Sequence, residues 1–252
     1  MPNPEAAASA TVDPAEIRRF AALAEEWWTP DGKFGPLHAL NPVRLAFIRE
    51  HAVRRFGLED SLRSPLRRLD ALDIGCGGGL LSEPVRRMGA RVVGVDADER
   101  GLAVARHHAA EGGLEIDYRL GSAEELAASG ARFDVVLAME ILEHVADRDA
   151  FLDACAALTR PGGLFIAATL NRTAKSFALA IVGAEYVLRW LPAGTHDWRK
   201  FVRPSELAAA LRRNGLAIEG LMGVAYDPVS GSWRLSRDLD VNYMIAATRP
   251  AA

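Results

Sequence analysis

Residues 72–81 read LDIGCGGGLL: an apolar strand end, a glycine-rich turn and an apolar helix start. Glycine lets a chain turn sharply and lets the backbone approach a ligand closely. A dinucleotide-binding fingerprint, G-x-G-x-x-G/A, is met at Gly75 and Gly77, but its last position is Leu80. The competing pattern is an acid followed by G-x-G-x-G: Asp73, Gly75, Gly77, Gly79. A pyrophosphate wants helix-end N–H groups and no nearby anion. A sulfonium with an amino-acid tail tolerates an acid close by, bridged to its ammonium. Asp73 therefore favours the second kind of ligand.

Outward from this loop, strand-like runs alternate with helical ones. LDALDI, RVVGVD, EIDYRL, FDVVLA and GLFIAAT are the strands. The spacing predicts helices over Leu80–Met88, Glu99–Gly112, Ala123–Ser129 and Asp147–Leu158. Such alternation builds a parallel sheet covered on both faces, the Rossmann-like α/β class. Pro84 conflicts with a helix interior and moves the first start toward Ser82, as a cap. RPGG (160–163) reads as a β-turn into the fifth strand. After a helix at Pro204–Asn214, LAIEGLMGVAY and VNYMIAATR read as strands flanking a turn-rich stretch, DPVSGSWRLSRD. They suggest an antiparallel addition at the sheet edge, giving seven strands, six parallel and the last reversed.

At the other end, residues 1–12 look like a disordered tail, rich in Ala and Pro. Asp13-Pro14 opens an amphipathic helix through Trp28, and a second runs from about Asn41-Pro42 to Phe56. Residues 13–60 thus form a helical cap. Residues 61–252 form the ligand-binding domain, with a helical insertion at 171–202.

Bulk properties narrow the function. With 252 residues, 50% apolar and 25% charged, the chain can bury a sizeable core. A net charge of -3 and the lack of a Lys/Arg block argue against nucleic-acid binding. Cys76 and Cys155 lie far apart without metal spacing, as expected in a reducing compartment. MPNPEAAASATVDPAE reads as neither a secretory signal nor an Arg-rich transit peptide. No run approaches the ~18 apolar residues of a spanning helix. The expected location is cytoplasmic, with room for contact at a membrane surface.

Asp96 ends the second strand, 21 residues after Gly75. An acid there can accept both ribose hydroxyls of an adenosyl group. Taken with Asp73 and the glycines, the pattern resembles motif I of class I methyltransferases that use S-adenosylmethionine (SAM). In that fold, Ser122 and Ala123 after the third strand lie where adenine contacts fall, and Met139 at the fourth strand end borders SAM.

MEILEH (139–144) is the second informative stretch. If a helical turn starts there, Glu140, Glu143 and His144 share one face. A phenol with a pKa near ~10 is mostly neutral at pH 7. Its deprotonation needs a general base such as His144, or a divalent cation held by the three residues, Mg²⁺ or another. A purely structural helix start is the third reading.

The whole chain from about 13 to 248 resembles the ubiquinone-biosynthetic O-methyltransferases. NPVRL, LNRTAKS, VGAEY-LR and GTHDW are the specific matches, with FAALAEEWW, MEILEHV and DVNYMIAAT beside them. The resemblance implies methylation of phenolic oxygens on polyprenylated rings, 2-polyprenyl-6-hydroxyphenol and 3-demethylubiquinol. It implies SAM contacts at Arg44, Gly75, Asp96 and Met139, and a divalent-metal role for Glu140, Glu143 and His144. Arg44 can pair bidentately with the SAM carboxylate. Two alternatives stay open: another small phenolic acceptor, or a non-catalytic SAM-binding scaffold of a quinone-biosynthesis complex.

SFALAIVGAEYVLRWL (176–191) is too short and too charged to span a bilayer. Glu185 and Arg189 stand at i, i+4 and can pair. Phe177, Ile181, Leu188, Trp190 and Leu191 offer apolar side chains to a membrane surface or to an acceptor pocket. The expectation is a peripheral, membrane-facing lid. His196 and Asp197 close the segment and rank below His144 for chemistry.

Overall fold

A computed structural model describes residues 11–29, 32–60, 63–187, 196–227 and 231–251. The first five strands are β1 (Asp70–Ile74), β2 (Arg91–Asp96), β3 (Asp117–Leu120), β4 (Phe133–Met139) and β5 (Thr159–Leu170). All pair in parallel, in the order β3-β2-β1-β4-β5. Their side chains alternate between two cores. Leu72, Ile74 and Val136 pack on one face; Ala71, Val135 and Leu137 pack on the other. Burial on both faces is why these strands are apolar throughout.

The C-terminal strands differ from expectation. β6 (Ala217–Asp227) and β7 (Ser232–Ser236) form an antiparallel hairpin. β8 (Asn242–Thr248) then inserts between β5 and β6, antiparallel to both. The sheet has eight strands rather than seven, because the stretch read as turn-rich contains β7. β8 is also interior, not an edge addition, and its seven residues are all buried. RPGG is likewise not a simple turn. Phe133 pairs with Thr159 while Val135 pairs with Leu164, so Arg160–Gly163 bulge within β5.

The helices are α1 (Pro14–Ala21), α2 (Gly35–Phe56), α3 (Ser82–Arg87), α4 (Glu99–Glu111), α5 (Ala123–Ala128), α6 (Arg148–Leu158), α7 (Ala174–Ser176) and α8 (Pro204–Arg213). The insertion continues from α7 into a π-helical stretch, Phe177–Val187. α1 stops well before Trp28, with a single 3₁₀ turn at Ala24–Glu26. Asp13 caps it, accepting from the Ala15 N–H at 2.9 Å. α2 begins at Gly35, earlier than expected, because Pro36 serves the first turn and Pro42 is absorbed inside the helix. Ser82 caps nothing; its hydroxyl donates to Asp73 instead, at 2.6 Å. Of the expected tail, Thr11 and Val12 fall among the described residues, and both line the crevice described below. Thr11 is buried and its carbonyl accepts from the Ala146 N–H.

Candidate active site

A crevice enclosing ≈ 1230 Å³, mouth included, opens at the C-terminal ends of β1, β2 and β4. β1 is flanked by β2 on one side and β4 on the other, so the chain reverses its winding there, the usual ligand position in open α/β sheets. The floor is the glycine loop. Gly75, Gly77 and Gly79 all have positive φ, at 72°, 49° and 84°. These are the three positions that the pattern singled out, and the turn requires them. A Cβ on Gly75 would stand 2.4 Å from Ile141 Cδ1, and one on Gly77 2.3 Å from Trp27 Cζ2.

Asp96 braces this floor. Its Oδ2 accepts from the Gly77 N–H and its Oδ1 from the Asp98 N–H, both at 2.8 Å. A carboxylate has about four acceptor sites, so capacity remains for a ligand hydroxyl. Burial pushes its carboxyl above the usual range. Asp73 is more perturbed. Burial drives it up to about 7, against the Ser82 hydroxyl, which favours the anion. Ser122 lines the crevice and caps α5, accepting from the Glu125 N–H; Ala123 and Met139 line it too. Of the expected SAM-binding residues, all but Gly79 line this one cavity; a Cβ on Gly79 would instead meet Tyr118 and Ala105.

The roof comes from the cap, and it contains residues that sequence reading passed over. Trp27 lies on Gly77 and Gly78 and stacks on Phe34 with centroids 3.7 Å apart. Trp28 donates its indole N–H to the Gly78 carbonyl and stacks on His108. The Trp27 indole N–H is buried with no acceptor among the described residues. Arg44 on α2 is 4% exposed, and its Nε completes no hydrogen bond among the described residues. Buried donors left open at a cavity wall are the form expected of a ligand-binding site. Amphipathic spacing could place α1 and α2 but not aim these side chains; the paired tryptophans were the available signal.

MEILEH is not a helical turn. Glu140 has φ 49°, and a tight turn follows, with the His144 N–H donating to the Ile141 carbonyl. The expected common face is therefore broken. Glu140 turns to Arg44, with Oε2 2.6 Å from Nη2. Glu143 is buried, its Oε2 accepting from the Thr169 hydroxyl at 2.7 Å while Oε1 accepts nothing among the described residues. His144 Nδ1 lies 3.0 Å from Glu16 Oε2 on α1, and Phe20 sets its ring edge-on. His144 holds the Glu16 carboxyl below its ordinary range.

His196, not Glu140, completes the cluster. One ligand-capable atom from each of Glu143, His144 and His196 lies within 4.8 Å of the others. His196 Nδ1 sits 2.9 Å from Glu185 Oε1. The expected partner of Glu185, Arg189, lies outside the described residues, as do Leu188, Trp190 and Leu191. Asp197 caps the turn Trp198–Lys200, accepting from the Arg199 N–H. On the insertion, Phe177, Leu179 and Val182 are exposed. Among the described residues no helix is long and apolar enough to cross a membrane.

Comparison with known proteins agrees with this geometry. Residues 72–167 match the family model described as a methyltransferase domain. The ubiquinone biosynthesis O-methyltransferase of Caulobacter vibrioides is 56% identical over 245 residues, covering 97% of both chains. That of Parvibaculum lavamentivorans is 57% identical over 243 residues, covering 96% of both. Among solved structures, the magnesium protoporphyrin IX methyltransferase of Synechocystis PCC 6803 with bound SAH superposes with a TM-score of 0.60. It is 20% identical and covers 82% of each chain, a likeness of fold.

Proposed function

This chain belongs to the ubiquinone biosynthesis O-methyltransferase family, and from that premise we propose that it methylates phenolic oxygens of 2-polyprenyl-6-hydroxyphenol and 3-demethylubiquinol. SAM is the methyl donor. The acceptor phenolate attacks the methyl carbon in line, the carbon–sulfur bond breaks, and its electron pair stays on sulfur as SAH leaves. The protein supplies position and charge for that displacement. Asp96 receives the ribose, Arg44 the carboxylate, and Asp73 the ammonium side of the donor. Met139 at the end of β4 lines the same crevice and would border the donor.

The observation that carries the acceptor side is the Glu143, His144 and His196 cluster. A buried carboxylate oxygen with no partner among the described residues and two imidazoles fit a divalent cation. The donor set suits Zn²⁺ or Mn²⁺ better than Mg²⁺, which prefers oxygen throughout. Such a cation lowers the pKa of a coordinated phenol. The chain's own part is to hold the acceptor hydroxyl beside this cluster; with no cation bound, the His144 imidazole takes its proton instead.

The insertion supports a membrane-surface approach. Phe177, Leu179 and Val182 are 47%, 54% and 42% exposed, and a polyprenyl tail resides in lipid. Radiolabelled methyl transfer from SAM to polyprenylated catechols, with and without EDTA, tests the reading. Transfer that depends on the isoprenoid tail and is restored by Zn²⁺ or Mn²⁺ supports it. SAM binding without turnover on any such acceptor overturns it in favour of a scaffold.

A further inference from the structure

The two imidazoles of the cluster share a feature that their neighbours explain. His144 Nδ1 is held by Glu16 Oε2 at 3.0 Å, and His196 Nδ1 by Glu185 Oε1 at 2.9 Å. The contacts are sheltered. His144 and Glu16 side chains are 13% and 15% exposed, and Glu185 has no exposed side-chain surface. Glu185 Oε1 also accepts from the His196 backbone N–H at 3.0 Å, so the residue is gripped at two points. The carboxylates come from far apart in sequence, Glu16 from α1 and Glu185 from the π-helical insertion.

We infer that Glu16 and Glu185 are positioning residues, which fix His144 and His196 as Nδ1–H tautomers and leave both Nε2 lone pairs for the acceptor-activating site. A carboxylate accepts from an imidazole N–H and cannot donate to it when ionised. Each ring therefore keeps its proton on Nδ1, and Nε2 is the only nitrogen left to bind a cation or receive a phenolic proton. Carboxylate–histidine pairs of this kind orient metal-bound and general-base imidazoles alike. The arrangement makes α1 and the insertion parts of the reaction site rather than coverings of it. The inference rests on the proposed role of Glu143, His144 and His196.

Glu16→Ala and Glu16→Gln are the test, with His144 assigned by His144→Asn. Imidazole ¹⁵N shifts in the full-length protein read the tautomer directly. Wild type should show the Nδ1–H form at His144, Glu16→Gln should keep it through the amide oxygen, and Glu16→Ala should lose it. Zn²⁺ affinity, measured by calorimetry, and methyl transfer should each fall about 10–100-fold in Glu16→Ala and partly recover in Glu16→Gln. A His144 Nε2–H form in the wild type, or wild-type tautomer and turnover in Glu16→Ala, overturns the inference. If the wild type binds no Zn²⁺ while Glu16→Ala still shifts the tautomer and slows transfer, the cation reading fails and the positioning role stands.

Discussion

Arg44 and Glu140 face each other across the crevice as a buried ion pair, with Nη2 2.6 Å from Oε2. Glu140 reaches it from a left-handed backbone, φ 49°, which a residue with a side chain adopts only when its surroundings hold it. The pair neutralises a buried guanidinium.

Glu140→Gln therefore lowers the thermal midpoint of the ligand-free protein, because a buried charge loses its partner. SAM restores more of that stability in the variant than in wild type, since its carboxylate replaces the lost one. Arg44→Ala weakens SAM binding by about 1.5–3 kcal/mol, or roughly 10–150-fold in Kd. Differential scanning fluorimetry with a SAM titration reads all three. An equal SAM-induced shift in wild type and Glu140→Gln counts against the exchange.

Asp73 makes both stability and SAM affinity depend on pH. The folded protein holds its proton up to about 7, the unfolded chain only to the ordinary aspartate value near 3.8, and burial is the chief cause. Over that window folding takes up a proton, so stability declines as pH rises from 4 to 7. Asp73→Asn removes the effect, and its stability relative to wild type improves progressively between those pH values. A bound sulfonium and ammonium favour the Asp73 anion, so SAM binding expels the proton and its Kd falls as pH rises from 5.5 to 7.5. Calorimetry in buffers of different ionisation enthalpy detects the released proton; binding without release contradicts the assignment.

Trp27 supplies a third prediction. Its ring packs on Phe34 and over Gly77 and Gly78, while its N–H finds no acceptor among the described residues. Trp27→Phe keeps the ring packing and loses the donor, which weakens SAM binding by about 1 kcal/mol, roughly fivefold, if the N–H meets the bound donor molecule. Trp27→Ala uncovers the loop and costs about 3–5 kcal/mol of stability. Tryptophan emission that does not change on SAM addition, with unaltered affinity in Trp27→Phe, removes Trp27 from the binding site.

The glycine loop was legible in sequence because positive φ leaves a compositional mark: Gly75, Gly77 and Gly79 are where the backbone turns left-handed. Asp73 and Asp96 were legible because they sit at or next to strand ends. MEILEH was misread for the opposite reason. Its i, i+3, i+4 spacing fits a helix face, and nothing local announces that Glu140 will adopt φ 49° to meet Arg44, 96 positions earlier. β7 hid in a stretch rich in Ser, Asp and Arg because an edge strand needs little apolar surface. The His196 contribution required tertiary information, since Glu143 and His196 are joined only by the fold.

The insertion divides into a buried and an exposed side. Glu185 turns inward to His196, while Leu179 and Val182 remain exposed. Neither apolar residue belongs to the Glu143, His144 and His196 cluster, so the two proposed roles can be separated. Leu179→Asp combined with Val182→Asp weakens co-sedimentation with liposomes, because burying two carboxylates at the interface opposes the apolar attraction. With a tail-less, water-soluble catechol the double variant turns over at the wild-type rate. With a polyprenylated acceptor presented in vesicles it slows, chiefly through a raised apparent KM. If liposome partitioning is unchanged, these side chains do not meet the membrane. If turnover of the soluble catechol falls in parallel, the insertion acts through the reaction site alone.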